Sequence, residues 1–285
     1  MAGLTNEGAR RLTGTLYVVA TPIGNLADAS ARAVDILKAV HLIACEDTRT
    51  TRTLLGRYGI ATRTVALHEH NERAAAAKLI ALLREGKDLA LVSDAGTPGL
   101  SDPGALLVAE AHRAGLRVSP VPGPSAAAAA FSAAGFAAGG FFFAGFLPAG
   151  GAARKKALEA IDLAWPVVLY EAPHRISETL ADLAERFGGQ REIVIGRELT
   201  KKFEEVARLP LADAAKWLEA PHRRQGEFVL VLAPGEQKRG ESMAAERVLE
   251  VLLESLAPSE AAKLAARITG APKNSLYRKA LERGK

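Results

Sequence analysis

The chain has 285 residues, of which 48% are hydrophobic and 24% charged, and it contains one cysteine. That is a globular composition with material for one large α/β domain or two smaller ones. Lone Cys45 excludes an internal disulfide framework and a cysteine-based zinc site. No run of 18 apolar residues occurs, so no membrane span is expected, and residues 1–11 lack the apolar core of a signal peptide, which points to the cytoplasm. The formal net charge is +5, and from Ala261 to Lys285 seven Lys and Arg face only Glu282. The basic excess is therefore concentrated in the tail, as in segments that contact phosphate, although a solvated terminal helix would look the same.

In chain order, Thr15-Leu16-Tyr17-Val18-Val19-Ala20 reads as a buried strand, followed by the turn Thr21-Pro22-Ile23-Gly24-Asn25 and a helix over 30–39. Residues 41–45 form a second strand, with Cys45 buried at its end, and 48–57 a second helix that Asp47 or Thr48 can cap. Apolar runs at 64–67, 88–92 and 117–121 alternate with helices at 71–84 and 103–114. Such alternation implies a mostly parallel sheet covered on both faces. The Pro/Gly-rich stretch 120–125 interrupts the pattern and marks a domain boundary, with Ser125 placed to cap an Ala-rich helix. Strands follow at 141–145, 167–171, 192–196 and 227–232, with helices at 151–163, 176–187 and 211–218. Residues 233–240 read as a linker, and beyond it only helical patterns occur, at 242–255, 259–268 and 272–282. The expected division is 1–123 and 124–236, two α/β domains, and 237–285, a basic helical appendage.

Ligands of open parallel sheets bind beyond the carboxyl ends of the strands. The turn after the first strand is not Gly-x-Gly-x-x-Gly, which argues against a dinucleotide site, though Pro22 and Gly24 form a tight turn that presents backbone N–H groups. After the second strand, Glu46 and Asp47 stand beside Arg49 and Arg52, which share a helical face; this suits a phosphate-contacting edge or an internal ion-pair cluster. Residues 93–104 are the densest feature, with Gly96, Gly99 and Gly104, Pro98 and Pro103, and Asp94 and Asp102. Glycines permit close approach of backbone to a ligand, and carboxylates accept from ribose hydroxyls or a cationic group. In the second half, loops at 143–148, 170–175 and 196–205 set aromatics beside His174, Arg175 and Arg197, a pattern suited to RNA, although His174 also reads as a structural histidine. No His, Cys or Asp spacing suggests a metal site.

Eight stretches carry a resemblance: LYVVATPIGNL (16–26), IACEDTRTTRTLL (43–55), LVSDAGTPGLSDPG (91–104), VPGPSA (121–126), FFFAGFLP (141–148), LYEAPHR (169–175), GRELTKKFEE (196–205) and GEFVLVL (226–232). Taken in this order, the chain resembles the 2′-O-ribose cytidine methyltransferases of small-subunit ribosomal RNA, a branch of the tetrapyrrole methylase superfamily. The resemblance implies a tetrapyrrole-methylase-like α/β fold, S-adenosylmethionine in a cleft between two domains, and a homodimer. The implied substrate is a cytidine ribose of 16S rRNA, in the 30S subunit near the decoding centre. Carried onto this sequence, Pro22, Gly24, Ser93, Asp94, Ala95, Gly96, Thr97, Pro122, Gly123 and Ser125 would hold the cofactor. A weak hydroxyl nucleophile needs a base or an oxyanion-stabilising group, and Asp47, Glu171, Glu198 and Lys201 are the candidates. Arg49, Arg52, His174, Arg175, Arg197, Lys273, Arg278 and Lys279 would face the RNA. Two alternatives stand beside this reading: a methyltransferase acting on a small tetrapyrrole, and a non-catalytic RNA-binding assembly factor.

Overall fold

The computed structural model describes residues 13–68, 71–235, 243–271 and 273–283. The N-terminal stretch 1–11 and most of the linker expected at 233–240 lie outside the described residues. The chain divides into one compact unit up to Ala233 and a second from Pro234 onward; the boundary expected at 123/124 falls within the first, between its two sheets.

The first sheet is parallel throughout, in the order β3-β2-β4-β1-β5, built from Thr15–Val19 (β1), Leu42–Cys45 (β2), Thr64–Ala66 (β3), Leu89–Val92 (β4) and Arg117–Val121 (β5). The connecting helices are Ala31–Ala39 (α1), Thr48–Arg57 (α2), Glu72–Arg84 (α3) and Ala105–Arg113 (α4). Side chains cap two of them: Ser30 accepts from Ala33 N, and Asp47, one of the two residues expected to cap α2, accepts from Arg49 N. Both faces are covered, one by Leu79, Leu83 and Leu107 from α3 and α4, the other by Ala33, Leu37 and Leu54 from α1 and α2. A strand buried on both faces has to be apolar throughout, as Leu89-Ala90-Leu91-Val92 is.

The second sheet has the order β6-β7-β10-β8-β9, from Phe142–Phe146 (β6), Val167–Glu171 (β7), Glu192–Arg197 (β8), Glu205–Pro210 (β9) and Phe228–Leu232 (β10). Only β6 and β7 run parallel; β7, β10, β8 and β9 are antiparallel neighbours. Strand β9 was not foreseen: the loop expected at 196–205 turns the chain back on β8 without an intervening helix, so the two pair as antiparallel neighbours. Helices Gly151–Glu159 (α6), Ile176–Phe187 (α7) and Leu211–Trp217 (α8) cover one face, over Val167, Leu169, Ile193, Ile195, Leu230 and Leu232. The Ala-rich helix Ala126–Ala134 (α5), capped by Ser125, covers the other, over the alternate residues Val168, Val194, Val229 and Val231. Helix α6 ends earlier than the expected 163, where Asp162 turns the chain by accepting from Ala164 N.

The second unit contains Met243–Leu253 (α9), Pro258–Thr269 (α10) and Lys273–Arg283 (α11) around a small core of Leu249, Leu276 and alanines 245, 261, 262, 265 and 280. Pro258 lies inside the first turn of α10 rather than before it, and Gly270 closes that helix in the left-handed conformation. Among the described residues no helix is long and apolar enough to cross a membrane.

Candidate active-site cleft

Strands β1 and β4 are neighbours whose onward connections run in opposite directions, toward β2 and toward β5, which is where open sheets form ligand crevices. The loops there are tied together. Thr21 N donates to Gly96 O at 2.8 Å, and Gly96 N to Thr21 O at 3.0 Å. The Thr21 hydroxyl donates to Ser93 O at 3.1 Å, and the Thr97 hydroxyl to Pro124 O at 3.1 Å. Asp94 Oδ1 accepts from Asp47 N at 3.1 Å, which joins the loop after β4 to the one after β2. Side chains from the second sheet complete the enclosure. Ala127 N donates to the Tyr170 hydroxyl at 3.2 Å, and Gly24 stands so close to the 198–204 loop that an added Cβ would lie 2.5 Å from Lys201 Cγ.

These loops bound a cavity of about 540 Å³, within the range of sites for a nucleoside-sized ligand. Ile23, Leu100, Leu199 and Val229 give it apolar walls, Asp94, Asp102 and Glu171 bring carboxylates, and Ala95, Gly96 and Ala126 leave room for the ligand. Phe146, 54% exposed, stands at its edge with its ring 5.5 Å from that of Tyr170. A smaller recess of about 300 Å³ lies alongside, lined by Thr21, Pro22, Thr51, Ser93 and Asp94, so Asp94 faces both spaces.

Of the cofactor candidates, Asp94, Ala95, Gly96, Thr97 and Ser125 line the larger cavity, and Pro22 and Ser93 the recess. Pro122 and Gly123 line neither; an added Cβ on Gly123 would lie 3.0 Å from Ala20 Cβ, so this turn packs β5 against β1. Gly24 is the close-approach point to Lys201. The cavity fits an adenosyl amino acid: apolar walls for a base, carboxylates for ribose hydroxyls and an ammonium, and small residues for close contact.

The four catalytic candidates are engaged locally. Asp47 caps α2 and pairs with Arg49 at 2.7 Å; that hydrogen bonding holds its carboxyl at about 2, which makes it a weak base. Glu171 is buried and accepts from the Thr179 hydroxyl at 2.6 Å and Ala172 N at 2.8 Å, with Arg175 alongside. Glu198 and Lys201 bond each other at 2.8 Å. Burial raises the Glu198 carboxyl, but hydrogen bonds from Lys201 and Glu227 N outweigh it and hold the group below its ordinary value. Arg175 and Arg197, expected to face phosphate, turn inward instead. Arg175 donates to the Leu147 and Pro148 carbonyls, and Arg197, 5% exposed, to those of Gln225 and Phe203. Arg49, Arg52 and His174 are exposed, as are Lys273 and Arg278 on α11, whereas Lys279 is half-buried.

Asp102, counted with Asp94 among the carboxylates of 93–104 but not among the cofactor or catalytic candidates, also belongs to this site. It is a half-buried carboxylate on the cavity wall, and burial, with repulsion from Glu46, pushes it up to about 6, against a hydrogen bond with Ser93. Three non-glycine residues with positive φ also cluster here: Ser101 (65°) on the cavity wall, and Glu198 (51°) and Thr200 (67°) in the loop beside it. Strained backbone of this kind concentrates at ligand clamps.

Family comparison sets this cleft in context. The model of the tetrapyrrole (corrin/porphyrin) methylases matches residues 15–215. The chain belongs to the tetrapyrrole methylases. A second model, described as the RsmI C-terminal HTH domain, matches residues 240–284. The chain is 50% identical over 275 residues to "Ribosomal RNA small subunit methyltransferase I" of Pseudomonas aeruginosa, covering 95% of this chain and 98% of that one. It is 46% identical to the protein of the same name from Escherichia coli O157:H7, over 97% and 98%. Uroporphyrin-III-C-methyltransferase from Thermus thermophilus shares the fold at TM-score 0.55 and 21% identity, covering 77% of this chain and 94% of its own. Diphthine synthase does so at TM-score 0.59 and 16%, covering 77% and 90%.

Proposed function

We propose that this methylase transfers a methyl group from S-adenosylmethionine to the ribose 2′-hydroxyl of a cytidine in 16S rRNA near the decoding centre, acting on the 30S subunit as a cytoplasmic homodimer. The observation that carries the reading is similarity along nearly the whole chain to proteins named for small-subunit ribosomal RNA. The ring-methylating structural neighbour matches 77% of this chain, while the family model at 240–284 covers the helical unit with exposed Lys273 and Arg278.

The domains in this reading are 1–123 and 124–236, with the cofactor between them, and 237–285 as an RNA-directed appendage. The bound cofactor supplies an electrophilic methyl group on a sulfonium. Asp94, Ala95, Gly96, Thr97 and Ser125 would hold it in the larger cavity, with Pro22, Gly24, Ser93, Pro122 and Gly123 shaping the loops around it. Protein groups act by placing the ribose oxygen in line with the methyl carbon and by excluding water. Glu171, Glu198, Lys201 and Asp47, all engaged locally, hold loops and set the local field. Arg49, Arg52, His174, Lys273, Arg278 and Lys279 take the RNA, and Arg175 and Arg197 support it by holding the loops they bond.

The test is transfer of tritium from methyl-labelled cofactor to naked 16S rRNA, 30S subunits and free tetrapyrroles, followed by alkaline hydrolysis. The expected result is label in RNA within an alkali-resistant dinucleotide, because a 2′-O-methyl group blocks the neighbouring cleavage. Label in a tetrapyrrole alone, or in alkali-labile mononucleotides, overturns the reading. RNA binding without any transfer would favour the assembly-factor alternative.

A further inference from the structure

Building on the methyltransferase reading above, we infer that Phe146 is a substrate-binding residue: its ring takes the base of the target nucleotide once that nucleotide has left its own stack. The ring owes its place to an irregularity in β6. Phe143 stands opposite Val168 and faces α5. In a regular strand Gly145 would follow on that face, and residue 146 would turn toward α6, α7 and α8. The register slips at Ala144 instead, so that Gly145 stands opposite Leu169 and Phe146 opposite Tyr170. A one-residue slip exchanges the faces of the residues beyond it, and bulges beside functional sites re-aim side chains in this way. Leu169 belongs to the core beneath α6, α7 and α8, whereas Tyr170 lines the cavity, and Phe146 comes to line it too.

The slip is held on both sides. Gly145 has φ +62°, and a Cβ added there would lie 3.0 Å from the Ser101 hydroxyl oxygen, so the bulge meets the cavity loop closely. Ser101 itself has φ 65°. Just past the bulge Leu147 is buried, and the Arg175 guanidinium donates to its carbonyl at 2.5 Å. Two large apolar side chains on the cavity wall are nevertheless left exposed, Phe146 at 54% and Leu100 at 40%. The Phe146 ring is inclined at 66° to that of Tyr170, edge to face, so Tyr170 supports it without covering it.

The ligand follows from the reaction. A ribose hydroxyl that reaches a methyl carbon inside the cavity carries its base to the mouth, out of the neighbouring stack. An aromatic ring placed there restores the lost stacking, since every base has a π-face.

The experiment compares wild type with Phe146→Ala, Phe146→Leu and Phe146→Trp on whichever of 30S subunits and naked 16S rRNA the wild type methylates. Cofactor affinity is measured by calorimetry, subunit mass by light scattering and folding by melting temperature. Ala at 146 is expected to lower kcat/KM for RNA about 5- to 150-fold, the loss of one base–aromatic stack. Leu, apolar but without a π-face, should fall nearly as far, and Trp should keep most of the rate. Cofactor Kd, subunit mass and melting temperature should stay at wild-type values, because the side chain is exposed. The contrast of Leu with Trp decides the matter even if Phe146→Ala fails to fold. The inference is overturned if Phe146→Ala stays within about twofold, or if Leu restores the wild-type rate, which would make the ring a packing element. A parallel loss of cofactor affinity would make it a cofactor wall, and a change of mass a subunit contact; either overturns it. If the wild type methylates neither RNA, the substrate reading falls and this inference with it. If RNA is methylated and the variants keep its rate, the inference alone falls.

Discussion

Gly104 stands at φ +119°, and a Cβ there would lie 2.6 Å from Leu91 Cδ2 in the centre of the first sheet. Gly104→Ala should therefore lose about 2 kcal/mol or more through backbone strain and displacement of Leu91, read as a lowered melting temperature. Arg154 shows a different dependence. It is 3% exposed and bonds Asp182 at 2.6 Å, Glu178 at 3.1 Å and the Ala149 carbonyl at 3.3 Å. Asp182→Ala leaves that guanidinium short of a partner in the interior and should cost about 3 kcal/mol in urea denaturation. Lys155→Ala removes a half-exposed side chain's pair with Glu185 at 2.7 Å and a long one with Asp182 at 3.9 Å and should cost less than about 1 kcal/mol. Single residues were legible where backbone demanded them: the Gly, Pro and Asp density of 93–104 pointed to the cavity wall. They were not legible where a long side chain chooses between interior and solvent. Arg197 and Arg49 look alike in sequence, yet carbonyls of Gln225 and Phe203 draw one inward while the other extends from the first turn of α2. Asp102 is visible in the sequence as one carboxylate of 93–104, but its raised proton affinity is not, because that comes from burial and then from Glu46, 56 positions earlier, and neither can be read from spacing.

Helix α5 shows how an element follows from composition. Its face on the second sheet is Ala127, Ala130 and Ala134, small enough for the helix to lie directly over Val168, Val194, Val229 and Val231. Ala130→Leu should push the helix off that face at a cost of about 1 to 3 kcal/mol and disturb the adjoining cavity wall, so cofactor affinity should fall together with melting temperature. Ser125→Ala removes the cap together with a hydroxyl on the cavity wall and should cost about 1 kcal/mol in melting. The parallel sheet could be read from its strand–helix alternation, and the caps of α2 and α5 from their residue types. Strand β9 could not. Glu205-Val206-Ala207-Arg208-Leu209-Pro210 is a half-exposed edge strand ending in proline, and what holds it is pairing with β8 and the Arg208–Glu192 ion pair at 2.7 Å, both contacts with distant residues.

On the scale of the whole chain, charge is distributed more unevenly than the total of +5 suggests, with the basic excess in the last 25 residues. If α11 takes RNA through exposed Lys273 and Arg278, converting both to Glu should weaken rRNA binding uniformly across sequences. The slope of log affinity against log salt should fall by about 2, measured by filter binding over a KCl series. The two sheets of the first unit raise a further matter, the order in which the chain is made. Strand β1 sits inside its sheet, with Leu16 paired to Leu89 on one side and to Val118 on the other. During synthesis the first strand to emerge is thus among the last to gain partners, and it must wait apolar and unpaired until β4 and β5 have left the ribosome. A nascent chain stalled before residue 89 holds β1, β2 and β3 without the central strand that joins them. Such chains should bind chaperones and be cut readily by protease, with protection appearing only once β5 is released.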